Sequence, residues 1–272
     1  MMTAPRDRGA AYRPIEDYGL IGDMHTVALV GTDGSVDWCC LPRFDAPSVF
    51  ARILDAEQGG HFQVALRGDD VTTKQFYWPE TNVLVTRFLS DDGVGEVRDF
   101  MPVAGRAEDP DRRQIIRMVR AVRGTVTFRV ECHPAFDYAR ADHETVRTER
   151  GVCFHGDEQA LSLATEIDLA RDGDGVAADV TLREGESTTL VLRDIEPGEG
   201  CAPTLSPEAA ERAFRDTVQF WRDWLGQCTY TGRWREEVYR SALALKLLTY
   251  EPTGAIVAAP TCSLPEDVGG VR

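Results

Sequence analysis

Basic side chains are in short supply: 30 Lys and Arg face 45 Asp and Glu, leaving a net charge of −15 over 272 residues. A field of that sign repels phosphate backbones and anionic lipid surfaces, so nucleic acid is not an expected partner, whereas a neutral sugar is indifferent to it. Long apolar runs are missing too. No window approaches the length of a membrane helix, and 1–14, with Arg6, Asp7 and Arg8, holds no apolar core of the kind that marks a secretory leader. A cytoplasmic protein without membrane contact is expected. Metal-ligand spacing is also lacking: Cys132, Cys153, Cys201, Cys228 and Cys262 form no Cys-x-x-Cys pair, and His133, His143 and His155 form no helical pair. Neither a metal nor another cofactor is expected. The seven cysteines are odd in number, and Cys39 and Cys40 are neighbours that a strand would send to opposite faces. Reduced thiols are the expected state.

Apolar residues at 43% and charged residues at 28% give the balance of a folded globular chain. From about Tyr12 to Ile195 short alternating segments are separated by turn signals. The clearest is Thr125 to Cys132, where Val126, Phe128, Val130 and Cys132 share one face and Thr125, Thr127, Arg129 and Glu131 the other, the period of a half-buried strand. Similar runs are Thr26 to Val30, Val36 to Cys39, Phe62 to Leu66, Val83 to Leu89, Ile115 to Val122, Val180 to Leu182 and Thr188 to Leu192. Asp33-Gly34, Asp92-Gly93, Asp172-Gly173 and Glu184-Gly185 supply residues that tolerate the positive φ of tight hairpins. Many antiparallel strands without intervening helices predict a mainly β sandwich or barrel over 1–196.

Pro197, Gly198, Gly200, Pro203 and Pro207 then crowd a stretch that neither strand nor helix interior tolerates, which marks a boundary. Ser206, Pro207 and Glu208 are an N-cap, a first-position proline and a first-turn acid, so a helix is predicted there. Its apolar stripe is Ala210, Phe214, Val218, Trp221 and Leu225, and it forms a linker over 197–232. A second helix, Trp234 to Tyr250, is apolar around most of its circumference and predicts burial on several sides. The sequence after Tyr250 reaches Arg272 without a further closing element, which reads as a truncated third region, 233–272. An apolar face left bare there predicts self-association into a homo-oligomer.

The stretch Tyr18-Gly19-Leu20-Ile21-Gly22-Asp23-Met24-His25-Thr26, continued by Gly34-Ser35-Val36-Asp37-Trp38 and Leu41-Pro42-Arg43-Phe44-Asp45-Ala46-Pro47-Ser48, resembles the opening of bacterial members of glycoside hydrolase family 15. Gly254 to Thr261, Ser263-Leu264-Pro265-Glu266 and Gly269-Gly270-Val271-Arg272 resemble that family's first barrel helix and the loop after it. The resemblance implies an antiparallel β-supersandwich, linker helices and the start of an (α/α)6 barrel. It implies inverting hydrolysis of α-linked glucose, with trehalose ahead of starch or isomalto-oligosaccharides, so a disaccharide or oligosaccharide is the implied substrate. In the family an aromatic, arginine and aspartate cluster that grips glucose follows this loop and the general acid and base come later. None of these follows Arg272, so no catalytic residue is assigned within the chain.

Two clusters remain as candidate sugar-binding residues. Asp37, Trp38, Arg43, Phe44 and Asp45 combine aromatic rings that stack on a sugar with polar groups that bond its hydroxyls, and the competing reading is a core Trp38 with an Arg43–Asp45 pair fixing a loop. Glu266 and Asp267 are tempting as paired acids, although adjacent loop residues diverge and Glu266 equally caps a turn after Leu264-Pro265. A non-catalytic carbohydrate-binding or scaffolding β domain, a glucoamylase-type enzyme and a sugar phosphorylase stay open beside trehalase.

Overall fold

Short alternating segments fold, in the computed structural model, into fifteen strands among the described residues, 12–103 and 113–261. In chain order they are β1 (Tyr18–Gly22), β2 (Val27–Gly31), β3 (Ser35–Cys40), β4 (Ser48–Ala51), β5 (His61–Leu66), β6 (Thr72–Tyr77), β7 (Leu84–Leu89), β8 (Gly93–Phe100), β9 (Gln114–His133), β10 (Glu144–Thr148), β11 (Gly151–His155), β12 (Ala160–Ala164), β13 (Ala170–Asp172), β14 (Gly175–Arg183) and β15 (Ser187–Ile195). The single helical turn α1 (Phe136–Ala139) follows β9, and two helices follow β15: α2 (Pro207–Leu225) and α3 (Arg235–Leu247).

All strand pairs are antiparallel, and β9 organises them. Its C-terminal half lies between β5 and β14, in a first sheet ordered β1-β2-β3-β5-β9-β14-β13 with β4 beside β3. Its N-terminal half lies between β8 and β15, in a second sheet ordered β6-β7-β8-β9-β15-β12-β11-β10. The separate strands expected at Ile115 to Val122 and Thr125 to Cys132 are therefore one 20-residue strand. It changes sheets around Gly124, whose φ of +73° and backbone approach leave no room for a Cβ, since one would lie 2.2 Å from the Asp92 carbonyl oxygen. Glycine alone meets both demands cheaply.

The predicted alternation is realised: Val126, Phe128, Val130 and Cys132 are buried. They pack with Phe62, Val64, Phe88, Val97, Leu161 and Leu192 in one core drawn from both sheets. Across that core runs a buried ion pair. Arg117 Nε donates to Asp99 Oδ1 at 2.8 Å, and both side chains are fully enclosed. Burial beside a more distant, half-exposed partner acts differently on Asp194, near the end of β15. Desolvation, only partly offset by Arg113 at 3.7 Å, pushes its carboxyl up to about 6. Because the folded state binds that proton more tightly than the unfolded chain does, the stabilisation is complete below about pH 4 and is lost as pH rises through about 6. Asp194→Asn is therefore expected to stabilise the protein at pH 7 by about 1–3 kcal/mol while changing it little at pH 4. Urea denaturation at both pH values checks this, and equal effects at the two would overturn it.

Helix α2 begins where its signals place it. Ser206 Oγ accepts from the Ala209 amide at 3.2 Å, and Ala210, Phe214, Val218, Trp221 and Leu225 are buried together with Thr217. Phe214 and Val218 lie against Val83, Phe100, Ile116 and Val191 of the second sheet.

Three expectations change. Helix α3 is shorter than predicted and buries only Leu243 and Leu247; Trp234 and Leu245 stay exposed because α3 packs on one side alone, against α2 and the β1 end of the sandwich. The stretch 254–261 is not a helix. Thr249 and Ile256 form an antiparallel bridge, Val257 N donates to the Leu248 carbonyl and Tyr250 N to that of Ala255. Reduced thiols do not describe every cysteine: Cys153 of β11 and Cys201 of the proline-rich linker are joined, 48 residues apart, while Cys39, Cys40, Cys132 and Cys228 are in no disulfide. The linker doubles back over β12, where Ala202 N donates to Ser162 Oγ, and no local spacing announces that return. Among the described residues no helix is long and apolar enough to cross a membrane.

Candidate functional site: the loop after β3 and the segment after α3

Strand β3 carries Asp37 and Trp38 in successive positions, so they point to opposite faces. Asp37 is 3% exposed and receives hydrogen bonds from Tyr18 Oη at 2.8 Å and Ser35 Oγ at 2.5 Å, with Arg52 at 3.9 Å. Burial and the negative charge of Asp37 drive the Tyr18 phenol well above its ordinary range, so it remains a donor. Trp38 is fully enclosed by Cys40, Ala51, Leu29, Ile53 and Tyr138. Its indole Nε1 donates to the Pro260 carbonyl at 3.1 Å, a bond spanning 222 residues.

The loop from Leu41 to Pro47 continues the contact. Phe44 is 4% exposed, its ring meets Tyr250 edge-on at 6.3 Å and its amide donates to the His25 carbonyl at 2.9 Å. His25 also meets Tyr250 edge-on, at 5.7 Å, with Nδ1 lying 3.8 Å from Glu251 Oε2, and the Glu251 amide donates to the Met24 carbonyl at 3.0 Å. Asp23 Oδ1 holds the turn beneath by accepting from the His25 and Thr26 amides, both at 2.9 Å. The outward residues of the loop are Arg43 and Asp45, whose side chains are 53% and 73% exposed and paired at 3.0 Å. The Arg43 hydrogen bond lowers the Asp45 carboxyl below its usual range, and the Asp45 bond raises the guanidinium in turn.

Of the candidate residues read from sequence, the structure thus gathers Trp38, Arg43, Phe44 and Asp45 at one junction, with the two aromatic rings inward and the two charges outward. Glu266 and Asp267 lie outside the described residues. Sequence reasoning missed His25, Tyr138, Tyr250 and Glu251 as members of the junction; they come from three distant stretches and share no motif spacing. The described acids here, Asp23, Asp37, Asp45 and Glu251, each face a donor or a cation. That makes them anchors of backbone and loop rather than a pair poised around a water. Among the described residues no group of three or more His, Cys, Asp or Glu is arranged to hold a metal ion.

Beside the junction, β9 is joined to β10 through α1, which winds left-handed. Asp137, Tyr138 and Ala139 have φ of 48°, 59° and 63°, with none of them glycine. This costs about 1–2 kcal/mol per residue through contact of Cβ with the backbone. A separate cleft of about 490 Å³ opens between the β6–β7 turn and α3, lined by Tyr77, Trp78, Tyr239, Arg235 and Arg240. Arg240 lies 3.8 Å over the Tyr77 ring and donates to the Thr81 carbonyl and Asn82 Oδ1, so this cleft fastens α3 to the sandwich.

The trehalase of Thermoplasma acidophilum is 36% identical over 250 residues, covering 90% of this chain and 42% of its own length. The trehalases of Mycolicibacterium smegmatis and Mycobacterium tuberculosis are 35% and 33% identical over 96% of this chain, and 42% and 41% of theirs. The chain therefore spans less than half the length of the relatives it matches. The family model described as "Trehalase-like, N-terminal" matches residues 7–217. With the sandwich and most of α2 inside that match, the chain belongs to the trehalase-like family, and residues 7–217 to its N-terminal domain.

Proposed function

We propose that this chain is the N-terminal part of an inverting α-glucosidase acting on α,α-trehalose, in which the sandwich anchors the entry to an (α/α)6 barrel and the catalytic acids lie outside the chain. The observation that carries this reading is the junction. Three separate ties, Trp38 to Pro260, Phe44 to Tyr250 and Glu251 to Met24, hold the segment after α3 against the loop after β3. Trp38 and Phe44 back the sugar site from behind; Arg43 and Asp45 face outward where hydroxyls can reach them, and Glu266 follows in the sequence, outside the described residues. The trehalase relatives support the disaccharide as substrate.

Inversion requires two carboxyls about 6.5–9.5 Å apart with a water beside one of them. The anchored acids of the junction do not serve that need, which supports their provision from elsewhere. Trp234, Leu245 and Ile256 are exposed at 53, 57 and 62%, apolar side chains that a barrel is expected to cover and that favour self-association when bare. Cytoplasmic residence belongs to the same reading, supported by the thiols of Cys39, Cys132 and Cys228.

The test is glucose release from trehalose, maltose, isomaltose and starch by the protein of full family length and by this 272-residue chain. Trehalose is expected to turn over fastest, with β-glucose as the first-formed anomer from the attacked residue, and the shorter chain is expected to be inactive. Phosphate-dependent turnover, net retention of the anomer or steady hydrolysis by the short chain would overturn the reading.

A further inference from the structure

The left-handed turn α1 is the most strained backbone in the described chain that the reading above leaves unused. Three successive non-glycine residues at positive φ persist only where the surroundings over-determine them, and such segments concentrate where a side chain has to be held in place. The surroundings here meet that condition. Gln159 Oε1 accepts from the Asp137 amide while its Nε2 donates to the Pro47 carbonyl, so one amide side chain fastens the turn to the loop before β4. Ser48 Oγ, on β4, accepts from the Tyr138 amide at 3.2 Å. Arg140 closes the turn from the other side, with Nε on the Asp137 carbonyl and a terminal nitrogen on Asp137 Oδ1 at 2.6 Å. Phe136 anchors the entry as a buried core residue.

What the turn presents is the Tyr138 ring, whose centroid lies 6.2 Å from that of Trp38 at an interplanar angle of 44°. Trp38 is the donor that reaches the Pro260 carbonyl. We infer that α1 is a positioning device: the strained backbone holds Tyr138 against Trp38, Trp38 holds Pro260, and the 254–261 segment is thereby fixed at the sugar site. The role in catalysis rests on the trehalase reading given above. Tyr138 is a positioning residue; its ring makes the contact with Trp38, and Tyr138→Phe keeps that contact. Three glycines would wind the same way without strain, but they would remove the Asp137 carboxylate that fixes Arg140 and the ring that meets Trp38.

The test is hydrogen exchange on this 272-residue chain, which reads the tether without requiring activity. Tyr138→Ala is expected to speed exchange across 254–261 by about tenfold or more, with β9 unchanged, whereas Tyr138→Phe and Ala139→Gly match the wild type. Should Tyr138→Ala fail to fold, Tyr138→Leu is expected to give the same pattern. Unchanged exchange at 254–261, or an equal rise throughout β9, would overturn the proposal. In the protein of full family length, assayed well below its melting temperature, Tyr138→Ala should lower kcat/KM for trehalose about tenfold, with rescue by Tyr138→Phe. A full-length wild type without activity on any α-glucoside overturns the trehalase reading instead, and the exchange result still decides the tether.

Discussion

Replacing Arg117 by methionine is expected to lower the folding free energy by about 3–5 kcal/mol, because it strands the Asp99 carboxylate in the core without its partner. Arg117 and Asp99 are cross-strand neighbours on β9 and β8, both fully buried and bonded through two contacts of 2.8 and 3.2 Å. The guanidinium also donates to the Phe62 and Gly34 carbonyls, each at 2.6 Å, and stacks 4.7 Å over the Phe62 ring. One side chain from the second sheet therefore satisfies backbone of the first, and its loss leaves those two carbonyls without this donor. The double substitution Arg117→Met with Asp99→Leu should recover part of the loss, since no buried charge remains. Urea denaturation measures both, and a single-variant loss below about 1 kcal/mol would mean that water or repacking serves Asp99 as well as Arg117 does.

The second large effect is expected at Trp38. Truncation to alanine empties a fully enclosed site and should destabilise the protein by about 3–5 kcal/mol, whereas Trp38→Phe keeps most of the packing and removes only the donor to Pro260. In the protein of full family length, Trp38→Phe should therefore weaken trehalose turnover more than it lowers the melting temperature. The effect on sugar runs through Pro260, because no face of the indole is left for a ligand. A Trp38→Ala protein that melts like the wild type but shows a raised KM would instead mean that the ring meets substrate directly.

The strands that alternate clearly were legible. Phe62 to Leu66 and Thr125 to Cys132 bury every second residue because one face lies on the core, and the α2 stripe reads the same way at helical spacing. Strands such as β11 and β12 were harder. In β12 every residue is buried, so no polar face marks a period, and β1 and β4 are too short and too rich in small residues to show one. The edge strand β6 alternates only between exposed and half-buried, so it shows no buried face to read. The candidate loop was legible as a motif from Asp37 to Asp45, but its partners His25, Tyr138, Tyr250 and Pro260 were not, since contacts over as many as 222 residues leave no local spacing.

The sequence by itself determined the mainly β class, the start of α2 at Ser206 and the family to which the chain belongs, because periodicity, capping and motif order act over a few residues at a time. Only the tertiary structure decided that two predicted strands are one, that Cys153 meets Cys201 and that Arg117 neutralises Asp99. It alone showed Trp38 facing inward to hold Pro260 while Arg43 and Asp45 face outward. Each of these depends on which distant backbone closes over a side chain, and that choice is made by the packing of both sheets and helices together.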